Sequence, residues 1–148
     1  MSESNQARGV IARWQSHAPY LLSVLRIIAG FLFMQFGTAK LFAFPGATMP
    51  GGSTVQLASL VGVAGVLETF GGALVLVGLC TRATAFVLSG LMAVAYFKAH
   101  APHGFWPILN HGEAAVHYCF LWLYFSAAGG GPWSLDALLA RRTRTAGR

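Results

Sequence analysis

Long apolar runs, broken by short segments of glycine, proline and polar residues, make up most of the chain. Four runs occupy about residues 20–44, 55–79, 83–100 and 113–129. A helix rises about 1.5 Å per residue, so about 20 apolar residues cross the roughly 30 Å hydrocarbon core of a bilayer. The pattern therefore predicts four transmembrane helices. Because their connections are short, we expect neighbouring helices to be antiparallel, in an all-α transmembrane four-helix bundle.

The runs divide the chain into three parts. Residues 1–19 are predicted to form a cytoplasmic N-terminal tail, in which a helix with one apolar face can lie along the membrane interface. Residues 20–129 form the transmembrane domain, and residues 130–148 a basic cytoplasmic C-terminal tail. Ser134 is placed to cap a last helix within that tail.

The arginines outside the apolar runs indicate the orientation of the helices. They are Arg8, Arg13, Arg82, Arg141, Arg142, Arg144 and Arg148. All seven fall on one side of the predicted membrane, whereas the loops on the other side, residues 45–54 and 101–112, contain no Lys or Arg. The positive-inside rule therefore predicts that both termini are cytoplasmic.

The overall composition excludes several classes of protein. With 55% hydrophobic and 9% charged residues, the chain lacks the balance of a soluble globular domain. The formal net charge of +6 is not arranged as a groove with interleaved aromatic residues, so we expect no nucleic-acid partner. Cys80 and Cys119 are too few for a disulfide framework and have no zinc-type spacing, so both are interpreted as packing residues.

Charged residues inside the first two runs share helix faces with glycines. A charge in hydrocarbon costs at least a few kcal/mol, so it should face inward and find a partner. Spacings of three and four residues predict that two glycine-containing faces meet and that Arg26 pairs with Glu68. A purely structural ion pair that fixes helix register is the alternative interpretation. The two faces contain Arg26, Gly30, Phe33, Gly37 and Lys40, and Gly65, Glu68 and Gly72.

A second polar group is predicted on the periplasmic side. Its members end or begin apolar runs, or follow one helical turn later. They are Lys40, Lys98, His100, Glu113, His117 and Tyr124. Titratable groups above an apolar core can bind a small polar head group such as a quinone ring, or can form a path for protons.

Histidines on the same side raise the alternative of a metal site. They are His100, His103, His111 and His117. Among these residues and their acidic neighbours, only Glu113 and His117 have a spacing typical of ligands on one helix, and there is no HExxH motif. We therefore expect no bound metal.

Four short motifs, in this order, are similar to those of a known family. They are R-x3-G-x6-G-x2-K beginning at Arg26, E-x2-G-G-x5-G beginning at Glu68, N-H-G-E at residues 110–113, and G-x-G-P-W-S-L-D at residues 129–136. Over about residues 21–136 the chain resembles the DoxX-like family of small bacterial four-helix membrane proteins. The resemblance implies a multi-pass protein of the inner membrane. It also implies, for some members, a role as subunit or partner of oxidoreductases that pass electrons to quinones.

Function is predicted from this resemblance and the inward charges together. The chain contains no redox cofactor motif, so no intrinsic cofactor is expected, and electrons would come from a redox partner protein or a bound quinone. The first hypothesis is a membrane subunit of a quinone-linked oxidoreductase. The alternative is a non-enzymatic membrane scaffold or stress-related module whose buried charges serve helix packing. Transport ranks third, and the expected contacts are the lipid bilayer, a redox partner and a second copy of the chain.

Overall fold

Helices are the only regular elements among residues 11–47 and 54–146, which are the residues that the computed structural model describes. The prediction of an all-α chain is confirmed for these residues. A short helical turn at residues 11–15 precedes the main helices, while Arg8 and Arg148, used above for the orientation, lie outside the described residues. The main helices are α1 (Ala18–Phe42), α2 (Leu60–Val77), α3 (Thr81–His103), α4 (Glu113–Ala128) and α5 (Leu135–Ala146).

Three helices of the described chain are long and apolar enough to cross a membrane. These are α1, α2 and α3, with 25, 18 and 23 residues. Helix α4 is equally apolar in character but has 16 residues, which correspond to a length of about 24 Å. The three longer helices make this a multi-pass membrane protein.

Local capping interactions determine where the helices begin. The Ser59 side chain accepts a hydrogen bond from the Gly62 N–H, so α2 begins at Leu60, five residues after the start of the predicted apolar run. Helix α2 ends at Gly78, whose φ of +72° is readily adopted by glycine. Ser134 accepts a hydrogen bond from the Ala137 N–H, which confirms that it caps the last helix.

Helices α2 and α3 each contain one π-helical turn. The turn in α2 spans Leu67–Gly71 and includes Glu68, and the turn in α3 spans Tyr96–His100 and includes Lys98. A π-helical turn inserts an extra residue into the helix and frequently occurs at functional sites. Both turns therefore shift polar side chains relative to the regular helical spacing on which the sequence analysis relied.

Helices α1 and α2 pack antiparallel through their glycines. A Cβ at Gly30 would lie 2.7 Å from the Leu76 nitrogen, and one at Gly37 would lie 2.5 Å from the Gly65 carbonyl oxygen. A Cβ at Gly72 would similarly approach the Met34 nitrogen to 2.8 Å. Such distances leave no room for side chains, so the two backbones are in direct contact.

Helices α3 and α4 form a second antiparallel pair, which packs on the first through aromatic side chains. Phe33 of α1 contacts Tyr118 and Trp122 of α4, with ring centroids 5.0 and 5.2 Å apart. Phe33 and Trp122 are fully buried in the same hydrophobic cluster as Leu88 of α3. We call the end of the helices where α1 begins the termini end, and the end with residues 101–112 the loop end.

Candidate functional site

An ion pair joins α1 and α2 in the half of the molecule nearer the loop end. The Lys40 Nζ atom lies 2.6 Å from both Glu68 carboxylate oxygens. The Glu68 side chain is 4% exposed and that of Lys40 is 21% exposed. Because an unpaired charge at this depth would be costly, each residue makes the burial of the other tolerable.

The predicted pairing of Arg26 with Glu68 is wrong. Arg26 instead donates hydrogen bonds to the backbone carbonyls of Val75, Leu76, Gly130 and Trp133. The helix register explains the difference. Gly30 lies against Leu76 and Gly37 against Gly65, so Arg26 faces the end of α2, whereas Lys40 lies within one turn of Glu68.

Two cavities flank the ion pair, and both are lined by Lys40, Glu68 and His100. The first, with a volume of about 260 Å³, lies between α2 and α3 and also contains Lys98. We call it the lateral cavity. Its remaining walls are apolar and are formed by Leu60, Val61, Ala64, Leu91, Val94, Ala95 and Ala99.

The second cavity has a volume of about 240 Å³ and lies between α1, α3 and α4, with one wall from the 101–112 loop. We call it the inner cavity. Besides Lys40, Glu68 and His100 it is lined by His111 and Tyr118. Its apolar side chains are those of Ala95, which also lines the lateral cavity, and of Phe33, Phe36, Met92, Ala114 and Ala115. The ion pair is thus accessible from two directions.

The orientation of His100 is set by the loop that follows it. Its Nδ1 atom lies 3.1 Å from the Asn110 carbonyl oxygen, to which it can only donate a proton. Asn110 is itself buried and held by hydrogen bonds to Gly104 and Gly112. In neutral His100 the Nε2 atom therefore carries the free lone pair, which makes it a proton acceptor.

Three predicted site residues lie away from the ion pair. Glu113, His117 and Tyr124 occupy an exposed face of α4 and line neither cavity. Helix α4 instead turns a face with Ala115 and Trp122 inward. The predicted site of Arg26, Lys40, Glu68, Lys98, Glu113, His117 and Tyr124 is thus divided, and the structure brings only Lys40, Glu68 and Lys98 to one cavity.

The predicted periplasmic group contained His100 but neither His111 nor Tyr118, and all three line the inner cavity. The N-H-G-E motif already contained His111 and the Asn110 that orients His100. Helix α4 is apolar all round, so its periodicity could not show that Tyr118 rather than His117 faces inward.

Across residues 11–47 and 54–146, no three His, Cys, Asp or Glu side chains are grouped closely enough to hold a metal ion. The polar residues around the cavities instead supply hydrogen-bond donors and acceptors to a small molecule or to water.

A second polar cluster lies at the termini end. Asp136 accepts hydrogen bonds of 2.8 Å from the backbone N–H groups of Cys80 and Thr81, and so caps the start of α3. Burial alone would raise the pKa of the Asp136 carboxyl, but these hydrogen bonds and the nearby Arg26 charge outweigh it and hold that pKa below its usual value. The cluster of Arg26, Ser134 and Asp136 joins α1, α2, α3 and α5.

Similarity to other proteins covers most of the chain. Residues 21–101 match the DoxX family model. An uncharacterized protein of Haemophilus influenzae is 44% identical, over 82% of this chain and 92% of its own. An uncharacterized membrane protein of Mycobacterium tuberculosis is 26% identical, over 89% of each chain. No solved structure matches the chain significantly.

Proposed function

The chain belongs to the DoxX family of membrane proteins, and from this premise we propose that it binds the ring of a membrane quinone beside the Lys40–Glu68 ion pair. In this role it is a membrane subunit or partner of a quinone-linked oxidoreductase. The observation that carries the proposal is a buried ion pair flanked by two cavities within membrane-spanning helices.

The chemistry of the lateral cavity supports a quinone. A quinone ring is flat and apolar but has two carbonyl oxygens that accept hydrogen bonds. The Lys98 ammonium group can donate to one of these oxygens, while the apolar residues of α2 and α3 contact the ring. Since the cavity lies between two membrane helices, an isoprenoid tail can extend from it into the lipid.

The proposed setting is the inner membrane, crossed four times with both termini in the cytoplasm. The seven arginines outside the apolar runs, which the sequence pattern assigns to one side of the predicted membrane, support this orientation. Helix α4 is the fourth crossing, and its length of about 24 Å requires local thinning of the bilayer. Reporter fusions after Arg148 and within the 101–112 loop test this topology. A periplasmic signal from the C-terminal fusion would contradict it.

Electrons in this proposal come from a partner protein that holds a redox cofactor. Gentle purification followed by mass spectrometry tests the association, and also shows whether two copies of the chain associate. A redox protein and quinone in the purified sample support the proposal. A preparation that contains neither contradicts it.

Quinone binding is best tested on purified protein in nanodiscs. Short-tail ubiquinone and menaquinone analogues are titrated while tryptophan fluorescence is recorded. We expect Glu68→Gln to weaken binding at least about tenfold, because Lys40 loses its partner and no longer holds its position. Glu113→Gln is the matched control, since Glu113 is an exposed carboxylate that lines neither cavity. Equal affinity in wild-type and Glu68→Gln protein, or no binding of either quinone, would contradict the proposal.

One observation favours the alternative of a non-enzymatic scaffold. Both Glu68 oxygens are occupied by Lys40, an arrangement that fixes helix register without any ligand. In that case variants of the pair lose abundance in the membrane, and the purified protein retains partners that have no redox cofactor.

A further inference from the structure

The proposed quinone site leaves the inner cavity without a role. This cavity adjoins the ion pair between α1, α3 and α4 and extends to the 101–112 loop, which contributes His111. Its volume of about 240 Å³ is large enough for several water molecules, each of which takes about 30 Å³ in the liquid. Lys40, Glu68 and His100 line both cavities, so they form the boundary between them.

We propose that His100 carries protons between water at the loop end and the Glu68 carboxylate. The inference rests on the proposed function, since it gives the protons exchanged at a quinone ring a route that avoids the lipid. His100 suits this task for two geometric reasons. Its Nδ1–H is donated to the Asn110 carbonyl, which leaves Nε2 as the proton-accepting nitrogen, and the His100 side chain lines both cavities.

The transfer is written as two balanced steps. Protonated His100 loses the Nε2 proton, through water in the inner cavity, to a Glu68 oxygen; the N–H bond breaks and an O–H bond forms. The neutral imidazole, with its Nδ1–H still donated to Asn110, then takes a new proton at Nε2 from a hydronium ion at the loop end; an O–H bond of the hydronium breaks, an N–H bond forms, and a water molecule is left. The reverse sequence releases a proton from Glu68.

Charged and titratable groups surround this path on every side. Lys40 approaches from α1, Lys98 from α3, His111 from the loop and Tyr118 from α4. The ring of Tyr96 stacks near that of His100, with centroids 6.4 Å apart.

The test is a pH jump on purified, quinone-free protein in nanodiscs, followed by infrared spectroscopy of the carboxyl C=O stretch. The band that disappears in Glu68→Gln is assigned to Glu68. We expect His100→Ala to slow protonation of Glu68 at least about tenfold. Added imidazole should restore the rate, which a purely structural role of His100 does not predict. His103→Ala is the matched control, because His103 is an exposed histidine at the end of α3 that lines neither cavity.

Three results would overturn the inference. They are a Glu68 band that does not respond to pH, an unchanged rate in His100→Ala, and a slower rate that imidazole does not restore. Because no quinone is present, each of them leaves the quinone titration to be judged separately. A protein that shows the relay but binds no quinone would overturn the proposed function alone.

Discussion

The two ends of the molecule use buried charge in different ways. At the termini end, Arg26 donates hydrogen bonds to backbone carbonyls and Asp136 accepts them from backbone N–H groups. Both charged side chains therefore pair with backbone groups at or near the ends of helices. Nearer the loop end, Lys40 and Glu68 are bonded to each other and adjoin two cavities. The contrast indicates that the first cluster holds the fold together, while the second adjoins the cavities in which we propose that a ligand binds.

The largest effect is expected from Arg26→Met. Four carbonyls lose their donor, and several of them are buried, so the free energy of unfolding should fall by about 3–5 kcal/mol. Arg26→Lys should retain little of this stabilisation, because an ammonium group cannot reproduce the planar set of hydrogen-bond donors of the guanidinium. Unfolding of the purified protein in micelles measures both. If the free energy of unfolding of Arg26→Met fell by less than about 1 kcal/mol, the proposal that this cluster holds the fold together would be contradicted.

The next largest effect is expected from Glu68→Gln. Lys40 is left without its carboxylate, but its side chain is partly exposed and can move, so we expect a loss of about 2 kcal/mol. The same unfolding measurement applies. A loss equal to that of Arg26→Met would mean that the two clusters do not differ as described.

Substitutions at the glycine contacts test whether the part of α1 near Lys40 is needed for quinone binding, while the rest of α1 contributes only to stability. Gly30→Ala and Gly37→Ala should each cost about 1–3 kcal/mol, because the new methyl group collides with the α2 backbone. Only Gly37→Ala, one turn from Lys40, should also weaken quinone binding. Gly90→Ala is the control, since a Cβ there meets nothing within 4 Å. If Gly30→Ala weakened quinone binding as much as Gly37→Ala does, the proposed difference between the two ends of α1 would be contradicted.

The smallest effect is expected from Asp136→Asn, at about 1 kcal/mol near neutral pH. The pKa of Asp136 is lower in the folded than in the unfolded protein, so its stabilisation is present above the usual carboxyl range, near pH 4, and is lost as the pH falls through the folded pKa. The difference in unfolding free energy between wild type and variant should therefore shrink below about pH 4. A difference that stays constant down to low pH would contradict this assignment.

Sequence reasoning predicted the helices better than the partners of the charges. Apolar runs and capping residues such as Ser134 are local signals, and they suffice to predict all-α structure and three helices of membrane-spanning length. The pairing of Lys40 rather than Arg26 with Glu68 depends on the register between α1 and α2, which follows from backbone contacts at Gly30 and Gly37. Spacing within one helix cannot reveal that register.

The cavities and the residues that line them could not be predicted from the sequence, because they depend on features that a hydrophobic pattern does not contain. The π-helical turns at Leu67–Gly71 and Tyr96–His100 displace Glu68 and His100 from the regular spacing. The inward face of α4 is chosen by aromatic packing of Trp122 on Phe33, not by polarity. These tertiary effects placed Tyr118 at the cavity and left Glu113 exposed.

The most direct test replaces both members of the ion pair by apolar residues of similar size. Lys40→Met/Glu68→Leu leaves no unpaired charge, so its free energy of unfolding should lie within about 1 kcal/mol of the wild-type value. Quinone titration of this variant in nanodiscs then measures what the pair does beyond folding. The account predicts a stable protein that no longer binds quinone. A stable double variant with wild-type quinone affinity would contradict it.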